Sequence, residues 1–198
     1  QLNAQIPPAI RWALEEGQLG FRPETVKPGE AVLERALTVL VGSNAQSAQA
    51  AVEEARRNGF QTLLLSTFLQ GEASVVGEVL AGVLRQCALS GDPLPRPACI
   101  IAGGETTVVV RGDGLGGRNL ELALGAVELA AGLQRALLIT LATDGEDGPT
   151  NAAGAVVSGQ TLARARALDI PPAAYLRNND AYHFFEALDD LLLLGPTG

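Results

Sequence analysis

The stretch T-V-L-V-G-S-N-A-Q-S-A-Q-A-A-V-E-E-A-R-R-N-G-F-Q-T-L-L-L-S-T, residues 38–67, decides the fold. Thr38–Ser43 is a short β-branched run, and Asn44 stands in a capping position after it. Ala45, Ala48, Val52 and Ala55 then recur at helical spacing, with Gln46, Gln49, Glu53 and Arg56 on the opposite face. Gly59 falls where a C-terminal glycine cap belongs, and Gln61–Thr67 reads as the next strand. Strand, helix and strand in succession imply an α/β protein.

The alternation extends in both directions. Gln5–Glu16 reads as a helix and Arg22–Gly29 as a surface loop. Downstream, Glu72–Leu89 is helical, with Val76, Val79, Val83 and Cys87 as its expected buried stripe. Ser90–Pro97, with three prolines and a glycine, is the expected linker, dividing the chain into 1–95 and 96–198. Ala98–Ala102 then reads as a buried strand. Gly103-Gly104-Glu105 reads as a tight turn and Thr106–Arg111 as a second strand, which together predict a hairpin. Arg118–Leu133 is helical, Ala136–Ala142 is a strand, Gln160–Leu168 and Ala181–Leu188 are helices, and Leu191–Leu194 is a terminal strand. The expected architecture is three-layer α/β/α with helices on both faces of a mixed sheet.

Composition bounds the function. Hydrophobic residues make up 47% and charged residues 18%, enough for a buried core and contrary to disorder. A net charge of −8 argues against non-specific binding to nucleic acid or an anionic membrane. No apolar run suggests a membrane span. Cys87 and Cys99 fall in apolar elements, so buried free thiols and a cytoplasmic location are expected. The chain opens on Gln1, which suggests a fragment or a processed chain.

Two loops carry the chemistry. R-G-D-G-L-G-G-R-N-L-E-L (Arg111–Leu122) places Gly112, Gly114 and Gly117 in G-x-G-x-x-G spacing, with Gly116 between, after an expected strand and before a helix. Glycines permit positive φ and close approach of a ligand, and a helix start offers free amides to an anion. Arg111 and Arg118 add two permanent cations suited to carboxylate or phosphate. A dinucleotide site is one alternative. Asp144 comes 27 positions after Gly117, further than the usual ~20, and the expected hairpin is a poor Rossmann start. A solvated surface loop is another alternative. In the following helix, Arg118, Glu121, Gly125, Glu128 and Gly132 share one narrow face of an otherwise apolar cylinder. That pattern implies burial on several sides, with a surface Arg118–Glu121 ion pair as the plainer reading.

The second loop is T-D-G-E-D-G-P-T-N-A-A-G (Thr143–Gly154). Asp144, Glu146 and Asp147 could hold Mg²⁺, supply a base for a hydroxyl substrate, or simply make a turn. Asn178-Asn179-Asp180 reads as a helix cap, and His183, the one histidine, as a packed or partly exposed side chain rather than a catalytic one.

Together, Gly103–Leu124, Thr143–Val157, Asn178–Leu188 and G-P-T-G (Gly195–Gly198) resemble the MOFRL domain of glycerate 2-kinases, in that family's order. The K-P-G segment Lys27–Gly29 is similar too, and Leu120 stands where the family more usually carries Gln. The resemblance implies ATP-dependent, Mg²⁺-assisted phosphorylation of D-glycerate to 2-phosphoglycerate in a cleft between this part and an N-terminal domain outside this chain. It implies that Arg118 stabilises phosphoryl charge or clamps substrate, and that Glu105, Asn119 and Asp144 occupy motif positions. The expected catalytic residues are Arg118 and Asp144. Arg111, Gly112, Gly114, Gly116, Gly117, Asn119 and Glu105 are the expected substrate or phosphate contacts, and Asp144 and Asp147 the expected metal ligands. An NAD(P)-dependent hydroxypyruvate reductase and a non-catalytic ligand-binding module are the rival readings.

Overall fold

The computed structural model describes residues 6–197, so Gln5 of the first expected helix and Gly198 of the terminal G-P-T-G lie outside the described residues. The chain divides into two compact units between Val41 and Gly42. The first contains helix α1 (Pro8–Gln18), which starts on a proline pair, and a 3₁₀ turn at Ala31–Arg35. Within it, Arg22 lies over the Trp12 ring at 5.3 Å and donates to Glu16 at 2.7 Å. The expected strand Thr38–Ser43 does not form. Leu37, Val39, Leu40 and Val41 are all exposed and make no ladder.

The second unit holds the site. Helix α2 (Asn44–Arg57) is capped by Ser43, whose Oγ accepts from the Gln46 amide at 3.2 Å. Asn44 is therefore not the cap. Its Nδ2 donates to the Thr67 carbonyl at 2.7 Å and ties α2 to strand β1 (Gln61–Leu69). Gly59, with φ +84°, makes the turn between them as its position implied. Helix α3 (Ala73–Ser90) follows, then strand β2 (Ala98–Gly104). β2 pairs in parallel with β1, Gln61 opposite Ala98 and Leu63 opposite Ile100. Ser90–Pro97 thus runs between two paired strands of one unit.

The expected hairpin is corrected. After β2 the chain does not turn back. Glu105 donates to the Leu69 carbonyl at 2.9 Å, and Thr107 donates to Gly71 while its carbonyl accepts from Ala73, both at 2.8 Å. The run Thr106–Arg111 has strand-forming residues, but its Thr107 amide goes to Gly71, between β1 and α3, and its Thr107 carbonyl to Ala73 at the start of α3. It forms only a single parallel bridge, Glu72 with Thr107.

Helix α4 (Arg118–Ala130) is the central pillar. Leu120, Ala123, Leu124, Ala126, Val127 and Ala130 are all buried, as an all-round apolar helix requires. It crosses α3 at backbone contact: a Cβ on Gly77 would lie 2.8 Å from the Leu122 carbonyl carbon, and one on Gly125 equally close to that of Ser74. That closeness explains why α3 buries Ala73, Gly77 and Ala81 while Val79, expected in the stripe, is exposed. By length and composition α3 could cross a membrane, with 18 residues of mean hydropathy 1.2, so the sequence expectation of no such run is corrected.

On the other side of α4, strands β3 (Leu137–Ile139), β4 (Gly154–Ser158) and β5 (Leu191–Leu192) form an antiparallel sheet in the order β3-β4-β5. Helices α5 (Thr161–Ala167), α6 (Pro172–Arg177) and α7 (Ala181–Ala187) complete the unit. Phe184 and Phe185, wholly buried, stack edge-to-face at 5.1 Å and close the core with Leu124, Val127 and Val157. The α/β class stands, with the parallel and antiparallel pairings in two sheets. Strand β4 and helix α6 were not foreseen. Both cysteines are free, Cys87 buried and Cys99 half-buried, and burial raises the Cys99 thiol pKa.

Candidate functional site

The glycine loop lies between two segments remote in sequence. On one side is Asn178–Asp180, expected to cap α7. Its side chains instead bind the loop. Asn179 Oδ1 accepts from the amides of Arg111 at 2.6 Å and Gly112 at 3.0 Å, and Asn179 Nδ2 donates to the Val109 carbonyl at 3.2 Å. The Asn178 carbonyl accepts from Gly114, and Asp180 Oδ1 from Leu115, both at 2.9 Å. No side chain caps α7. His183 is half-exposed and meets Asp180 Oδ1 through Nδ1 at 2.6 Å, so it supports this segment rather than filling the core.

On the other side is the acidic loop. Asp147, 2% exposed, aims its carboxylate at the start of α4. Oδ1 accepts from the Asn119 amide at 3.1 Å and Asn119 Nδ2 at 3.2 Å, and Oδ2 accepts from the Leu120 amide at 2.8 Å. Three N–H donors and the positive end of a helix surround this group, an arrangement that suits an anion and repels a cation. The carboxylate is thus spent on the helix start, which counts against the metal-ligand role expected for Asp147. The expectation that the helix start serves as an open anion cradle is narrowed too, because the protein's own carboxylate already fills its first turn.

Three of the loop glycines, Gly112, Gly114 and Gly117, are explained by this sandwich. None of Gly112, Gly114, Gly116 and Gly117 has positive φ, so conformational freedom is not their reason. A Cβ on Gly112 or Gly114 would lie 2.5 Å from the Asn178 carbonyl oxygen, and one on Gly117 the same distance from Asp147 Oδ2. The site needs absent side chains to let three backbones meet. Because Thr106–Arg111 is not a strand, the G-x-G-x-x-G also lacks the strand that a dinucleotide fold requires before it.

With four loop amides bound to 178–180 and two bound to Asp147, the amides of Gly116, Gly117 and Arg118 have no partner among the described residues. Gly116 and Gly117 directly precede Arg118 in the chain. Arg118 is half-exposed, and its Nη1 pairs with Glu105, whose side chain is 78% exposed. Arg111 Nη1 donates to Glu72 at 2.9 Å, and that contact raises the Arg111 pKa further above its usual value. Glu105 therefore holds the Arg118 head, and an anionic ligand can take its place at little cost, since such exposed pairs contribute about 1 kcal/mol or less.

Glu121 does not pair with Arg118 on the surface. It is 3% exposed and accepts from Asn179 Nδ2 at 3.0 Å. Burial raises its pKa above the usual value, nearby Glu72 adds to the rise, and the Asn179 hydrogen bond and Arg111 partly offset it. Asp144 is exposed and meets only the Glu146 amide, at 3.5 Å, through its carboxylate. Its backbone carbonyl accepts from Thr197 at 3.0 Å, and Thr197 Oγ1 donates to the Thr143 carbonyl at 2.8 Å, so the chain's end is fastened to this loop. The Thr150 hydroxyl donates to the Asp147 carbonyl at 2.8 Å and stiffens the loop. The Asp147 and Asn179 roles left no local signal in sequence, because their partners are 27 to 70 residues away.

The MOFRL family matches residues 98–198, which contain the whole sandwich. The D-glycerate 2-kinase of Thermotoga maritima is 40% identical over 159 residues, which is 80% of this chain and 38% of that protein. A putative hydroxypyruvate reductase of Agrobacterium vitis is 38% identical, over 97% of this chain and 48% of that one. The crystal structure of glycerate kinase from Thermotoga maritima superposes with a TM-score of 0.77 at 38% identity, covering 80% of this chain and 38% of that one. The chain spans less than half the length of each of these relatives. The chain belongs to the MOFRL family.

Proposed function

We propose that the protein carrying this chain phosphorylates D-glycerate to 2-phosphoglycerate with ATP, and that this chain supplies the C-terminal half of an inter-domain active site. The observation that carries the reading is the clamped loop: the free amides Gly116–Arg118 and the displaceable Arg118 head point to an anionic ligand, in a chain similar to glycerate kinases. In the reaction the glycerate hydroxyl oxygen attacks the γ-phosphorus, the bond to the β-bridging oxygen breaks, ADP leaves, and the hydroxyl proton passes to a base. Such transfer depends on positioning and charge stabilisation. Arg118 suits the equatorial phosphoryl oxygens or the glycerate carboxylate, and Arg111, held by Glu72, supports the local positive field. Asp144 is an exposed carboxylate that can accept the proton when it does not hold Mg²⁺.

Mg²⁺ binds through one or two carboxylates plus substrate phosphates. Asp144, with Glu146 two residues on, fits that modest donor set, and Asp147 does not. A bound Mg²⁺ would neutralise phosphate charge. Asn119, whose side chain is committed to Asp147, serves by fixing the helix start.

A coupled ADP-release assay with the intact protein tests the reading. Glycerate-dependent ADP release is expected, and Arg118→Ala should lower kcat/KM by about 10²-fold or more, the loss typical of one oxyanion-stabilising group. An Arg118→Ala enzyme with unchanged kcat/KM removes Arg118 from the mechanism. The reductase name of one relative favours a second reading. Steady NADH oxidation by hydroxypyruvate, without ADP release, would establish it instead.

A further inference from the structure

We propose that Asn179 is a positioning residue for the substrate loop, setting the path of Val109–Leu115 so that the free amides and Arg118 beyond it meet the ligand. The proposal rests on the kinase reading for its catalytic consequence but not for its geometry.

Asn179 is 7% exposed and every bond of its carboxamide is committed: the oxygen accepts from Arg111 and Gly112, and the nitrogen donates to Val109 and to Glu121 Oε2. One planar group thus joins the chain before the glycines to the buried face of α4. No other side chain type of that size both accepts two amides at one end and donates two protons at the other. Its backbone has φ +53°, a left-handed conformation that asparagine adopts more readily than most residues. The neighbouring Asn178 carbonyl and Asp180 carboxylate extend the grip to Gly114 and Leu115. Five contacts from three residues fix the loop before any ligand arrives, the preorganisation that charge-stabilising sites need. A misplacement of about 1 Å in such a site costs about 10²-fold in rate.

The test uses the intact protein and two readouts. Hydrogen exchange, at a temperature well below melting, follows residues 107–116 against β4 and α4, and the ADP-release assay gives kcat and KM. With Asn179→Ala, exchange in 107–116 should rise at least tenfold while β4 and α4 stay protected, and kcat should fall by tenfold or more. Asn179→Asp keeps the acceptor for the loop amides but turns an oxygen toward Glu121. Adding Glu121→Gln restores a donor across that contact with reversed polarity, so the double variant, which still lacks the Val109 bond, should recover part of the loop protection and kcat relative to Asn179→Asp alone.

Loop exchange that is unchanged in Asn179→Ala, or that rises in step with β4 and α4, overturns the proposal. If Asn179→Ala does not fold, the Asp/Gln exchange decides alone, and no recovery in the double variant overturns it. Absence of glycerate-dependent ADP release in the parent protein refutes the kinase reading, and the exchange measurement still decides the role of Asn179.

Discussion

Replacing Asp147 by alanine should lower stability whether or not Mg²⁺ is present. Leu120 is wholly buried, so its amide, which now donates to Oδ2 at 2.8 Å, has no water to turn to. A hydrogen bond to a charged group contributes about 1.5–3 kcal/mol, and a stranded buried donor costs on that order. The Asn119 amide and side chain lose longer bonds at a half-buried position that water can partly replace. The carboxylate also loses its favourable place at the helix N-terminus, worth about 0.3–2 kcal/mol. Together these give a loss of about 3 kcal/mol, and at about 2–4 °C per kcal/mol for a chain of this size Tm should fall by roughly 6–12 °C. Thermal and urea melts of the parent, Asp147→Ala and Asp147→Asn would measure it. Asn, with one acceptor and a misdirected NH₂, should recover only part. If Asp147 were a metal ligand, the penalty would grow with Mg²⁺, by about 2.7 kcal/mol at one hundred times the dissociation constant. A Tm within a degree or two of the parent, or a penalty that vanishes in EDTA, refutes the capping argument.

The other expected outcomes follow from the same contacts. Gly117→Ala should destabilise by about 1–3 kcal/mol from overpacking against Asp147, since φ −154° is ordinary extended backbone, while Gly116→Ala, whose nearest contact would be 3.4 Å, should barely move the urea midpoint. Equal midpoints for the two variants would show that the contact at Gly117 relaxes freely. Glu121→Gln should flatten the pH dependence of stability. The folded carboxyl titrates above the usual 4.5, so between those values the native state binds more protons than the unfolded chain, and stability falls as pH rises through that window. Gln cannot titrate and keeps an acceptor for Asn179, so the variant should gain on the parent as pH rises above 4.5; parallel urea-derived curves would contradict the assignment.

The local elements were largely legible in the sequence, because period and capping chemistry are short-range properties. Helix α4 is the clearest case: its nearly unbroken apolar circumference implied burial on several sides, and α3, β4 and the aromatic pair Phe184–Phe185 supply those sides. The glycine turn at Gly59 and the helix before it were read from the same kind of signal. Strand propensity misled at Thr38–Ser43 and Thr106–Arg111, since a β-branched run becomes a strand only if an edge is offered to it. The amides of Thr107 and Arg111 went instead to Gly71 and Asn179. The site divides in the same way. Arg111, Arg118 and the glycines were visible as an anion-binding pattern within a dozen residues. Asp147 was visible as a metal ligand, a base or a turn, and Asn179 as a cap, because nothing within a few residues of either distinguishes a locally used carboxylate or carboxamide from one whose partners are brought in by the fold. The sequence by itself therefore determined the α/β class, the buried helix and the glycine-arginine loop as an anion-binding pattern. The tertiary structure alone decided which acidic group is spent on the helix start, which carboxylate stays free, and why the loop needs glycines. Each of these depends on hydrogen bonds and close contacts between segments far apart in the chain.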